Sequence, residues 1–359
     1  MEKLNPRVIA FYLPQYHPIP ENDRWWGRGF TEWTNVGKAK RYFWGHQQPK
    51  VPADLGYYDL RIPEVREEQA ALAREAGIEG FCYWHYWFAG KQLLERPFNE
   101  VLQTGKPDFP FCLCWANHSW HAKFWNKDMP DKLLIEQTYP GKEDFINHFN
   151  AMLPAFKDRR YMLVDNKPIF GVFSPGEFKG TEEFISIWNK LAKENGFDGI
   201  YFVTISFKKS QNAHILKQGY NGIIYDLIFI RRSAIRFVYQ LLHDVFHIPR
   251  IIDFRDYTKT LLNNMIIDKT ILPCVIPNFD HTPRSGWRGT LLTHCNPDNW
   301  YKLMLALFRK LKDKNGEDNL VFVKSWNEWG EGNYLEPDLR YGKGFLEKLK
   351  KALSDSQRD

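Results

Sequence analysis

Cysteine is scarce in this chain, and its five residues are odd in number, which argues against a simple disulfide framework. Cys82, Cys112, Cys114 and Cys274 fall in apolar, strand-like runs and Cys295 stands apart from them, so free buried thiols in a reducing compartment are expected. No cationic segment followed by a long apolar one opens the sequence, and residues 8–13 are too short for a signal h-region. No window approaches a membrane span. The expectation is a cytoplasmic protein. Charge of one sign is also lacking: 49 basic against 43 acidic residues give only +6, evenly spread, which sets nucleic acid aside as a partner. The phosphate-binding loops G-x-G-x-x-G and P-loop are absent, as are the G-x-S-x-G elbow and Asp-x-Asp. Phosphoryl and acyl transfer lose their main sequence support.

Aromatic residues, by contrast, are abundant: 16% of the chain with 14 Trp, many beside His, Asn, Glu or Gly rather than within aliphatic runs. A sugar-stacking surface has that composition, and so does a large core built with rings. With 43% hydrophobic and 26% charged residues the chain is globular.

Eight short runs rich in β-branched and aromatic residues, each followed by a helical pattern, lie at 8–13, 80–86, 111–115, 169–173, 200–205, 222–225, 274–276 and 320–324. Their near-continuous apolarity suits strands buried on both faces of a parallel sheet. Helices are expected over 63–76, which starts at Pro63 and stops at Gly77, and over 182–195 and 299–312. Eight such units in 359 residues, without a linker, predict a single α/β domain over 1–359, a (β/α)8 TIM barrel. An open doubly wound sheet gives the same local signals, but its Gly-rich nucleotide turn is missing. The barrel also explains why polar and aromatic residues cluster where the strands end: Gln15, Tyr16 and His17; Trp84 to Trp87; Trp115, Asn117 and His118; Ser174; Ser206; Asp226; Asp280; and Trp326 to Glu328. In a barrel these converge on one mouth.

Two segments exceed a minimal unit. Residues 18–58 form a long aromatic-rich β1–α1 loop with Trp25, Trp26, Trp33 and Trp44, read as a lid or wall of the site. Residues 227–264 carry Ile-Arg-Arg-Ser-Ala-Ile-Arg at 230–236. Basic and apolar residues together allow weak peripheral contact with an anionic membrane, although an ordinary barrel helix with a solvated basic face is the preferred reading.

The residues best suited to chemistry lie in Trp326-Asn-Glu-Trp-Gly-Glu-Gly332, where a strand ends and Glu328 and Glu331 stand three apart among rings and glycines. Partial desolvation raises a carboxyl pKa, and a second carboxylate nearby pushes the two values apart, which yields one acid and one base. An arbitrary E-x-x-E is usually just a helix face. Glycines that admit a ligand to the backbone and two flanking Trp shift the balance toward function. His17, His85, His118 and His121 show no mutual spacing for a metal, and sugar hydroxyls are the better partner for them. No metal or cofactor is expected.

The chain resembles the glycoside hydrolase family 99-like proteins, in the WbsX-like branch associated with bacterial surface polysaccharide gene clusters. The resemblance spans about residues 7 to 348 and rests on Ala10-Phe-Tyr-Leu-Pro-Gln-Tyr-His17, Trp25-Trp-Gly-Arg-Gly-Phe-Thr-Glu-Trp33, Ala53-Asp-Leu-Gly-Tyr-Tyr-Asp59, Gly80-Phe-Cys-Tyr-Trp-His-Tyr-Trp87, Cys114-Trp-Ala-Asn117, and Trp326-Asn-Glu-Trp-Gly-Glu-Gly332 with Leu335-Glu-Pro-Asp338. It implies a (β/α)8 barrel and a retaining endo-α-mannosidase-like reaction. Glu328 would remove the proton of the substrate 2-hydroxyl, so that the sugar itself displaces the leaving group. Glu331 would protonate the departing oxygen and then activate water. Mouth position and matching motifs together give Tyr12, Tyr16, His17, Trp33, His85, Tyr86, Trp115, Asn117, His118, Asp280, Trp326, Asn327 and Trp329 as the sugar-binding set. His118 to His121 and His281 depart from the branch's pattern, which touches the identity of the sugar rather than the glutamates. The partner is then an oligo- or polysaccharide, cleaved by a hydrolase or transglycosidase. A glycosyltransferase that builds the polysaccharide, and a binding protein without catalysis, are the two alternatives.

Overall fold

The computed structural model describes residues 6–122, 131–226, 243–264, 269–314 and 316–358. The eight apolar runs become β1 (Arg7–Tyr12), β2 (Gly80–His85), β3 (Phe111–Trp115), β4 (Lys167–Val172), β5 (Tyr201–Ser206), β6 (Gly222–Tyr225), β7 (Ile271–Val275) and β8 (Leu320–Val323). Each pairs in parallel with the next, and β8 returns to β1 through Arg7↔Leu320 to Ala10↔Val323, which closes the sheet. A closed parallel barrel of eight strands leaves no open edge, as the TIM architecture requires.

Helices follow the strands in order: α1 (Pro63–Glu75), α2 (Arg96–Thr104), α3 (Lys142–Phe156), α4 (Thr181–Glu194), α5 (Lys209–Lys217), α6 (Phe254–Asn264), α7 (Pro297–Leu311) and α8 (Gly344–Arg358). Pro63 starts α1, where its missing N–H costs nothing, and Gly77 with φ 84° ends the turn beyond it. The seventh strand begins at Ile271 rather than at 274. Pro273 stands in its last pair with β6, Tyr225↔Pro273, where the ladder goes no further.

Side-chain alternation sorts the barrel into an inside and an outside. Phe11 stacks on Trp84 at 4.8 Å and meets Phe322 at 5.5 Å within the barrel. Phe81, Tyr83, Phe111 and Phe170 face the other way, toward Phe109, Phe98 of α2 and Trp188 of α4. The interior layer needs a small residue where β3 meets β4. Gly171 pairs with Cys114, and a Cβ on it would fall 2.5 Å from the Cys114 sulfur. All four strand cysteines are buried and all five are free.

The long β1–α1 segment contains two short helices, Pro20–Trp26 and Glu32–Gly37, and packs over the mouth through Trp33, which touches Tyr16, Tyr58 and Trp329. The basic stretch at 230–236 lies outside the described residues. Its remainder forms Arg250–Asp253, paired with Thr290–Thr293, and α6. Among the described residues no helix is long and apolar enough to cross a membrane.

Overfilling a packed interior costs about 1–3 kcal/mol, because neighbours must leave their rotamers or the backbone must shift. Gly171→Ala is therefore expected to lower stability by about that amount in urea unfolding, whereas Gly176→Ala, with nothing within 4 Å of its added carbon, stays within about 0.5 kcal/mol.

Candidate active site

A cavity of about 590 Å³ opens at the C-terminal ends of the strands, with Glu328 and Glu331 on one wall and Trp84, Tyr86, His118 and Trp120 among its other walls. The carboxylates come from the segment after β8. Asn327–Glu328 pairs antiparallel with Asn333–Tyr334, and between them Trp329–Glu331 makes one 3₁₀ turn, with Gly332 left-handed at φ 53°.

This tight turn is held from several sides. The Tyr16 hydroxyl donates to the carbonyl of Asn327 at 2.6 Å and accepts the N–H of Trp329 at 2.9 Å, so one buried phenol brackets Glu328. The Asn327 amide bonds both the N–H and the carbonyl of Leu13, at 2.7 and 3.1 Å. The Trp329 indole donates to Glu336 at 2.6 Å, and Glu336 also accepts from Tyr58 at 2.8 Å and Gln69 at 2.6 Å. Burial raises the Glu336 carboxyl to about 7 despite those donors. Trp329 in turn stacks on Tyr334 at 3.7 Å. With its backbone groups and rings occupied, the turn leaves its carboxylates free to face the cavity.

Arg284, on the short helix Thr282–Ser285 after β7, joins the two glutamates. One guanidinium nitrogen lies 2.7 Å from Glu331 Oε1 and 3.2 Å from Glu328 Oε1. The same guanidinium meets Glu32 at 3.1 and 3.3 Å, and Glu32 is fully buried. Gly330 permits the arrangement, since a Cβ there would sit 2.0 Å from a Glu32 oxygen. His281 Nε2 stands 3.4 Å from Glu331, its Nδ1 hydrogen-bonded to the Ser285 hydroxyl at 2.6 Å. Lys324 lines the cavity and pairs with buried Asp226 at 3.4 Å.

These charges separate the two carboxyls. Burial, and then the negative charge of Glu331, raise Glu328 to about 7, against the pull of Arg284 and Lys324. Burial would raise Glu331 too, but Arg284 and His281 outweigh it and hold that carboxyl well below the usual range. The pair titrates together, and these charges favour the proton on Glu328 over Glu331. That order is the reverse of what the family resemblance implies.

The sequence-derived set divides in two. Glu328, Glu331, Tyr86 and His118 line the cavity. Tyr12, His85 and Trp115 sit on strand positions of the opposite parity and face the helices: Tyr12 bonds Gln69 of α1, His85 bonds His148 of α3, and Trp115 packs on Phe184 of α4. For these three the expectation of sugar contact is corrected. Tyr16, Trp33, Asn327 and Trp329 lie behind the Glu328–Glu331 turn and hold it, and Trp326 is buried against Phe81. Asn117 is tied to Ser174 and Tyr139, and His17 is buried outside the cavity, with its pKa lowered to about 4 chiefly by burial. Asp280 points away from it, toward His46 at 2.8 Å and Gln48 at 2.7 Å. Sequence reading missed Arg284 and Lys324. The only local signals were a cation four residues beyond the strand-end Asp280 and one just before the Trp326 motif.

A family model described as Glycosyltransferase WbsX matches residues 8–349. A protein described as "Uncharacterized protein WxcX" from Xanthomonas campestris pv. campestris is 35% identical over 358 residues, which cover 98% of this chain and 50% of that protein. The chain thus spans half the length of the curated relatives it matches. Among solved structures, the GH99 endo-alpha-mannosidase from Bacteroides thetaiotaomicron superposes with TM-score 0.60 at 14% identity, covering 99% of this chain and 98% of the other. A glycoside hydrolase-like protein gives TM-score 0.61 at 13% identity, covering 98% and 95%. At these identities the two structures establish the shared fold.

A carboxyl whose folded pKa is raised keeps its proton where the unfolded chain has lost it, so stability falls as pH rises from the unfolded value of about 4.5 toward 7. Glu328→Gln removes that liability. Its stability relative to the parent is expected to rise between pH 5 and pH 8 by on the order of 1–3 kcal/mol in urea unfolding, and a gap that does not change with pH would refute the buried-proton assignment.

Proposed function

The chain belongs to the WbsX glycosyltransferase family, and from that premise we propose that it is a glycan-active enzyme whose acid–base pair is Glu328 and Glu331. The observation that carries this reading is the meeting of two buried carboxylates on a single guanidinium nitrogen at the barrel mouth, with burial pushing Glu328 up and Arg284 holding Glu331 down. General acid–base chemistry needs such a split pair. Two oxygens at 3.2 and 2.7 Å from one nitrogen are no more than about 6 Å apart, which favours retention over the roughly 6.5–9.5 Å of inverting pairs.

The finer reading is endo-acting hydrolysis or transglycosylation of an α-glycosidic bond, α-mannosidase-like, in a bacterial surface polysaccharide or its precursor. One carboxylate takes the proton of the 2-hydroxyl while that oxygen attacks the anomeric carbon, and the other gives its proton to the departing oxygen. Water or another hydroxyl then opens the strained intermediate, with the proton movements reversed. The resemblance assigns the acid role to Glu331. For Glu331 to hold the proton, the substrate must displace Arg284 from it, because in the free site Arg284 keeps it ionised. Trp84, Tyr86 and Trp120 offer ring faces for a sugar, and Gln15, His118 and His121 offer hydrogen bonds. The family's description favours a second reading, transfer of sugar to build a polysaccharide. A retaining pair serves both outcomes, since the second step accepts any hydroxyl that reaches the intermediate.

Glu328→Gln and Glu331→Gln are each expected to lower turnover by about 10²–10⁴-fold on α-mannan oligosaccharides or bacterial surface polysaccharides, read by mass spectrometry without nucleotide-sugar. The kcat/KM of the parent should fall above about pH 7 as the pair's single proton is lost. With an aryl glycoside bearing a good leaving group, the variant that keeps its rate identifies the acid. Activity that appears only when nucleotide-sugar is added, or variants within a few-fold of the parent, would overturn the hydrolytic reading.

A further inference from the structure

A second cavity, of about 780 Å³, lies on the far side of the wall that carries Glu331. The two segments of this wall, at 280–281 and 331–334, each face both ways. His281 and Glu331 line the first cavity, while Asp280 and Tyr334 line the second, and the Asp280 N–H bonds the Glu331 carbonyl at 2.7 Å between them.

The chemistry of the second cavity differs from that of the first. Arg41, Lys50 and Arg340 line it, and among the described residues none of the three is paired with a carboxylate. Arg41 gives one N–H to the Gln48 carbonyl, Lys50 donates to the Gly332 carbonyl at 3.0 Å, and Arg340 lies over the Tyr341 ring. The two acids of the cavity are already satisfied. Asp280 accepts from His46, Gln48 and Thr282, and Asp338 accepts from Tyr334, Arg340 and Tyr341 backbone or hydroxyl donors. Three cations thus face two carboxylates across the cavity, with Lys50 electrostatically coupled to Asp280, which leaves a net positive charge. At its rim Trp44 is 100% exposed, beside Phe43, which stacks on His46 at 4.8 Å. Both faces of the Trp44 indole are therefore open to a ligand at the cavity rim.

We propose that this cavity is a second binding site, for an acidic segment of a glycan. The cations would pair with carboxylate, sulfate or phosphate groups on the sugars, and Trp44 would stack on a ring face. A polymer too long for the catalytic cavity would thereby be anchored one wall away from the carboxylates. The cations come from two separate segments bordering a wide space, Arg41 and Lys50 from the β1–α1 loop and Arg340 from beyond β8, which suits charges distributed along a polymer better than the compact diphosphate of a nucleotide.

The proposal goes beyond the catalytic reading and is tested without turnover. Binding of polygalacturonate, neutral mannan and uridine diphosphate to the full chain would be measured by isothermal titration, for the parent, for Trp44→Ala with Arg340→Ala, and for Lys190→Ala. Lys190 is an exposed α4 residue outside the cavity, and its loss controls for net charge. Expected is salt-sensitive binding of polygalacturonate that weakens roughly tenfold or more in the double variant and is unchanged in Lys190→Ala. Equal weakening by Lys190→Ala, no binding of the polyanion, or binding of uridine diphosphate alone would each overturn it. Trp44 is exposed, so its loss leaves the fold intact, and unfolding curves would verify this. Absence of catalysis on every glycan would fail the catalytic reading and leave this result standing.

Discussion

One buried guanidinium governs the end of this barrel that carries the two glutamates. Arg284 meets Glu32, Glu328 and Glu331, all within 3.3 Å of its nitrogens. Three carboxylates in a space shielded from water cannot all be ionised without a cation among them, and a charge removed from such a cluster leaves its partners uncompensated at a cost of several kcal/mol. The cluster therefore links three distant segments: the long β1–α1 loop through Glu32, the β7 end through Arg284, and the β8 turn through the two glutamates. Gly330 is the steric counterpart of this link, because only a residue without Cβ lets Glu32 lie against the turn. The asymmetry of the contacts, closer to Glu331 than to Glu328, favours ionised Glu331 and with it a proton on Glu328.

Much of the fold was legible because its signals are local. Eight apolar runs followed by amphipathic helices specify a parallel α/β layout, and each run became a strand within one to three residues of its expected ends. The glutamates were legible for the same reason, since the whole turn is written in seven consecutive residues. Individual sugar contacts were not. A strand shows its neighbours to opposite faces, so His85 and Trp115 point to the helices while Trp84 and Ala116 face the cavity, and composition at a strand end does not reveal that parity. Arg284 was hidden by distance. It stands 44 and 47 residues from the glutamates and 252 from Glu32, and no sequence pattern links positions so far apart.

The family is described by transfer and the solved neighbours of the same fold by hydrolysis. Barrels host many reactions, so the shape alone cannot choose between the two names. The site makes the choice less stark than the names suggest. A pair of carboxylates that forms and opens a sugar-derived intermediate is indifferent to whether water or another hydroxyl completes the reaction. What decides the outcome is how well the walls exclude water and hold an acceptor, and those walls come from β2 and the segments after β1, β2, β3, β4 and β7 as well as from the turn itself.

That division of labour has a limit, set by the loop after β7. The loops after β3 and β4 supply His118, Trp120, His121 and Phe173 to the cavity, while Arg284 and His281 of the loop after β7 pair with the carboxylates. The first four are not among the principal groups that raise or lower either carboxyl, so a change of sugar met by their loops disturbs the proton balance less. The loop after β7 differs, because His281 and Arg284 both shape the wall and set the charge on Glu331. Ser285 extends the coupling by fixing the His281 ring. A change of substrate that required a new side chain at 281 would also release Glu331 from part of its stabilisation and move the shared proton. Specificity and acidity are thus tied together in this loop. The departure from the family pattern at His281 is for that reason a matter of mechanism as well as of recognition.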